Sequence, residues 1–121
     1  MKNDLQDLLI YKQIFVVIKD LHPRIAKFEK QYKYTLGNKI MDQAINSATL
    51  IFEIAHSHDN QIRSKKVNDL IIKLHLVTFL VRIANELNQF KKTESYLYVS
   101  ENIVNVLMQA EGWKKYILAK K

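Results

Sequence analysis

Residues 93–117 read TESYLYVSENIVNVLMQAEGWKKYI. Within this stretch Tyr96, Val99, Ile103, Val106, Ala110, Trp113 and Ile117 are separated by alternating steps of three and four. That is the period of an α-helix with one apolar face. An unbroken register of this length predicts lengthwise packing against antiparallel neighbours at a shallow crossing angle. Thr93 is placed to cap the helix, with Glu94 in its first turn near the positive end of the dipole. Lys114, Lys115, Lys120 and Lys121 suit the opposite end, where cations are favoured.

The same period extends back through the chain. Val67, Leu70, Leu74, Val77, Val81 and Ala84 form a strict heptad, predicting a third helix from Gln61 or Ser64 to Gln89. Lys91 and Lys92 mark the break after it. Ser57 to Asn60 is the clearest loop. A second helix is expected from a Thr35 cap to His56. It carries one stripe of Leu36, Ile40, Ala44, Ser47, Ile51 and Ile54, and beside it another of Met41, Ile45, Ala48, Phe52 and Ala55. So wide a face is covered on two sides, in a bundle or an oligomer. Gln31 to Tyr34 reads as a connection. The first segment runs from about Asp4 to Phe28, its face starting at Leu5, Leu8 and Leu9 and continuing through Ile10, Ile14, Val17, Leu21, Ile25 and Phe28. Pro23 kinks or breaks it, since proline removes a donor and clashes with the preceding turn. A main helix ending near Leu21 and a continuation from Arg24 to Glu29 are expected, their continuity left open. Three short connections predict an all-α, antiparallel up-down-up-down four-helix bundle in one domain, residues 1–121.

Composition agrees. The chain has 121 residues, 48% apolar, with two glycines and one proline, too few for the tight turns of a β-rich fold. It has no cysteine, which excludes disulfides and thiolate chemistry. The first residues, Lys2, Asn3 and Asp4, do not resemble a signal peptide. The longest apolar run, Ile14 to Ile18, is too short for a bilayer, so a cytoplasmic protein without a membrane role is expected. Nineteen basic residues against twelve acidic ones leave +7, which favours polyanionic partners.

Motifs for catalysis are missing. Two glycines make no phosphate loop, no serine sits in an elbow motif, and the carboxylates, Glu53 and Glu86 among them, are scattered. His56, His58 and Asp59 fall together, but no second pair completes a metal site, and a solvated helix terminus is the better reading. His22 and His75 are expected at solvent or an interface. The helical ribonucleases called HEPN domains carry an Arg, a polar residue and a His a few positions on. Neither Arg63 nor Arg82 is followed that way. No cofactor and no enzymatic activity are expected.

The cations fall in patches instead. The candidate nucleic-acid-binding residues are Lys73 and Arg82 on the third helix and Lys91 and Lys92 in the loop after it. On a helical wheel Arg82 shares a face with Asn68, His75 and Gln89, opposite the heptad stripe. Lys27, Lys30, Tyr32, Lys33 and Tyr34 mix cations with rings, which serves either stacking on single-stranded bases or snorkelling at a bundle end.

Four stretches carry a resemblance. They are Pro23-Arg24-Ile25-Ala26-Lys27-Phe28; Tyr34-Thr35-Leu36-Gly37-Asn38-Lys39-Ile40; the run from Leu74 through Thr78, Arg82 and Asn85 to Leu87; and Gly112-Trp113. Together they resemble the accessory variability determinant (Avd) proteins of diversity-generating retroelements. That group belongs to a wider bacterial four-helix-bundle family that includes proteins encoded in ribosomal RNA intervening sequences. The resemblance spans about Leu21 to Trp113. It implies a ring-like homopentamer and a positively charged surface that binds nucleic acid, RNA or DNA, and a reverse transcriptase. It further implies a non-catalytic role in the mutagenic copying of template RNA into cDNA. Lys73 and Arg82 match basic positions of the family's third helix; Thr78 and Asn85 stand where Avd proteins often carry further cations. The alternative is an interaction module of the wider family with no nucleic-acid role.

Overall fold

The structure, a computed structural model, describes residues 4–119, with side chains from Leu9 onward. Leu5 and Leu8, expected to start the first apolar face, lie outside the described side chains, and Lys2, Asn3, Lys120 and Lys121 lie outside the described residues. Helix α1 spans Asp4–Ala26, a short α2 spans Lys30–Tyr32, α3 spans Asn38–His56, α4 spans Asn60–Glu86 and α5 spans Thr93–Ala119. No strand occurs among the described residues. Each of the four long helices packs on two others: α1 on α3 and α5, α4 on α3 and α5. The result is a helical bundle.

The periodic positions make its core. The α4 heptad from Val67 to Ala84 is buried at every position, and in α5 so are Val99, Ile103, Val106, Ala110, Trp113 and Ile117, with Tyr96 half-buried against them. Burying such side chains contributes roughly 1.5–3 kcal/mol each before chain entropy is counted. On α3 the first stripe is buried from Ile40 to Ile54, with Leu36 partly so, and the Ser47 hydroxyl donates to the Gln43 carbonyl. Its second stripe stays partly open: Ile45 and Phe52 are exposed.

Five local expectations are corrected. Pro23 lies inside α1, which is continuous to Ala26 and ends three residues short of Glu29. One turn follows the proline, and Lys27 and Phe28 close it with tighter bonds to the Arg24 and Ile25 carbonyls. Gln31–Tyr34 is not a connection but helix: α2 leads into a π-turn over Lys33–Gly37 and on into α3. Thr35 therefore caps nothing; its hydroxyl donates back to the Gln31 carbonyl. The wider turn rests on Gly37, whose missing Cβ would stand 2.7 Å from Ile25 Cγ2. At the end of α4, Asn88 takes a left-handed φ of 60°, and the Gln89 and Asn88 amides bond back to the Ala84 and Asn85 carbonyls. This is a Schellman stop made with asparagine instead of glycine, and it ends α4 at Glu86 rather than Gln89. Thr93 is itself the first residue of α5, and the carbonyl receiving the Ser95 and Tyr96 amides is that of Lys92. Asp59 is the side chain that does cap, accepting from the Gln61 and Ile62 amides at the start of α4.

Candidate functional site

The C-terminal end of α1, the corner into α2, the α4–α5 loop and the start of α5 meet in one place. Phe28 and Phe90 pack edge to face with centroids 5.5 Å apart, and Phe90 also faces the Tyr96 ring. Beside them Gln89, only 2% exposed, clamps the corner. Its Oε1 accepts from the Glu29 amide at 2.8 Å, and its Nε2 donates to the Glu29 carboxylate and the Leu87 carbonyl. Gln89 is thus not on the exposed face of Asn68, His75 and Arg82. Those three are exposed, but the left-handed step at Asn88 turns the next side chain inward.

This anchored loop carries Lys91 and Lys92, both exposed. Together with Asp20, Arg24 and Lys27 they line a cavity of about 440 Å³ whose lining also includes Gln89 and Phe90. Four cations thus surround one carboxylate. The Asp20 carboxylate accepts from Arg24 Nε at 2.9 Å, and the Arg24 guanidinium lies over the Tyr98 ring at 5.6 Å. Lys91 holds a left-handed φ of 68°. Side chains of this kind, positive and fixed at their base, attract anions with little reorganisation.

The other two candidates lie elsewhere. Lys73 is half-buried in a groove between α3 and α4 with Glu53 and Asp69, whose charges oppose its own. Arg82 is exposed on α4 and lines none of these cavities. Conversely, Asp20 and Arg24 were not among the sequence candidates, and Lys27 entered only with the mixed aromatic stretch. In that stretch Tyr32 packs against the core, while Tyr34 is exposed with the Lys33 ammonium 5.4 Å from its ring.

At the opposite end of α4, Arg63 is 6% exposed. Its Nε donates to the Ile54 carbonyl at 3.1 Å in the last turn of α3, and its guanidinium lies 6.0 Å from the Trp113 ring. His56 bonds the Phe52 carbonyl through Nδ1. Glu53 pairs with Lys66 at 2.9 Å. Among the described residues no three His, Cys, Asp or Glu side chains are grouped to hold a metal, and no helix is long and apolar enough to cross a membrane. No protein-family model, curated protein or solved structure matches the chain.

Proposed function

We propose that this chain is a non-catalytic accessory protein of a diversity-generating retroelement, binding RNA or DNA and a reverse transcriptase in support of mutagenic cDNA synthesis in the cytoplasm. The observation that carries the nucleic-acid half is the convergence of Lys91 and Lys92 with Arg24 and Lys27 around one cavity. On this reading the four helices run antiparallel, up-down-up-down, and copies associate into the ring-like pentamer that the Avd resemblance implies. The exposed α3 side chains Ile45 and Phe52, and Phe15 on α1, supply apolar surface for that association. Repetition of the basic patch around a ring multiplies affinity through effective concentration.

The test is RNA binding by the purified protein across a salt series. Binding is expected to be tight at low salt and to fall steeply as salt rises, with little sequence preference. Absence of binding at low salt defeats the nucleic-acid reading. Charge reversal at Lys91 and Lys92 is expected to weaken binding more than reversal at Lys73. The second reading, a protein-interaction module alone, is favoured by the almost wholly apolar groove of Tyr11, Ile14, Phe15, Ile18 and Ala48 between α1 and α3. It predicts self-association or partner capture with no salt-sensitive polyanion binding.

A further inference from the structure

We propose that the cavity between the end of α1 and the α4–α5 loop is a phosphate-monoester site, taking the terminal phosphate of a single strand or of a free nucleotide. This deepens the nucleic-acid reading by naming which phosphate the site receives.

Three features carry it. The first is charge. The one acid in the lining, Asp20, already accepts from Arg24 Nε, and the terminal nitrogens of Arg24 make no hydrogen bond among the described residues. The unopposed charge of Lys27, Lys91 and Lys92 remains. A phosphate monoester carries about −1.5 to −2 near neutral pH, against a single charge on an internal diester. The surplus therefore suits the monoester better. The second is rigidity. The two loop lysines stand on a backbone pinned by the Gln89 clamp and by Phe90 between Phe28 and Tyr96. The Arg24 fork is fixed from one side by Asp20 and from another by Tyr98. The third is shape. The site is concave, with buried Gln89 and Phe90 in its lining. A recess admits a chain end, whereas the internal phosphates of a continuing backbone are held on both sides and enter less deeply.

The experiment compares one short single-stranded RNA with a 5′-phosphate and with a 5′-hydroxyl, labelled at the 3′ end and followed by fluorescence anisotropy. Adenosine 5′-monophosphate serves as competitor and, by calorimetry, as a ligand alone. The 5′-phosphate strand is expected to bind about tenfold more tightly. The competitor removes that advantage, and the Lys91→Gln/Lys92→Gln double variant abolishes it. Lys114→Gln/Lys115→Gln, on the last turns of α5, leaves the ratio unchanged. Equal affinity of the two strands overturns the proposal while leaving salt-sensitive nucleic-acid binding intact. A preference that survives in the Lys91/Lys92 variant overturns the location. If neither strand binds at low salt, the nucleic-acid reading falls. Adenosine monophosphate binding that depends on Lys91 and Lys92 then upholds the monoester site, and absence of that binding overturns it too.

Discussion

Gly37 is the residue at which the fold has least room. A methyl group there meets Ile25 Cγ2 at 2.7 Å, and Ile25 is itself buried and β-branched, so it has little rotamer freedom to yield. Gly37→Ala gains up to about 1 kcal/mol of helix propensity but incurs overpacking of about 1–3 kcal/mol. A net loss of about 1 kcal/mol is expected in urea unfolding, and a gain in stability would show that the π-turn can shift off α1. Arg63 presents the opposite case, a buried cation that satisfies the end of a neighbouring helix. Arg63→Ala removes a charge-assisted bond to the Ile54 carbonyl and the packing of the guanidinium near Trp113. The expected loss is about 2–4 kcal/mol by the same measurement. Lys91 separates stability from use. Its left-handed backbone costs a lysine about 1–2 kcal/mol and suits glycine, whose extra chain entropy takes back roughly half of that. Lys91→Gly is therefore expected to raise stability by about 0.5 kcal/mol while weakening RNA binding. A variant weaker in both would place Lys91 in the packing of the loop instead.

Between elements, the joint that matters is the one Gln89 makes between the α4–α5 loop and the α1–α2 corner. Gln89→Ala leaves the Glu29 amide and the Leu87 carbonyl without their partner, at about 1–3 kcal/mol. Because the joint underlies Lys91 and Lys92, RNA affinity is expected to fall as well, although Gln89 carries no charge. Unfolding and binding measured on the same preparation check both halves; intact affinity in a destabilised variant would separate the clamp from the site. This joint also marks where the sequence stops being readable. Heptads in α4 and α5 name nearly every core residue of those two helices, because burial on a long helix repeats with its geometry. Gln89 sits in register with exposed Asn68, His75 and Arg82, and periodicity places it outside. The left-handed Asn88 breaks that register, and asparagine is a weaker stop signal than glycine. Gln31–Tyr34 misleads for a related reason: a polar, aromatic run resembles a loop, whereas it forms α2 and the start of the π-turn whose Gly37 stands against Ile25 and Phe28. The site was half legible. Lys91 and Lys92 stand out as adjacent cations in a loop. Arg24 and Lys27 become their neighbours only once short connections are followed round the bundle, which sets the end of the first helix beside the start of the last.

At the scale of the whole molecule, a surplus of +7 on 121 residues favours a polyanionic partner but does not say how many copies would hold it. Salt dependence distinguishes the two. For a single strand, each phosphate neutralised contributes about −0.7 to the slope of log K against log salt. Lys91→Gln/Lys92→Gln removes two cations per chain. If one copy grips the strand, the slope is expected to become shallower by about 1.4. If several copies of a ring present the same patch to one strand, each contributes its own pair, and the change is that value multiplied by the number of patches engaged. The measurement needs a strand long enough to pass from patch to patch, and a short one as reference. On the short strand only one patch can act, so the single-copy value is expected there whatever the assembly. A long strand whose slope shifts no further than the short one would leave binding to individual copies and remove the functional argument for repetition. A larger shift on the long strand alone would tie the exposed apolar faces of α1 and α3 to the basic cavity, because association through the one is what brings copies of the other into reach of a single polyanion.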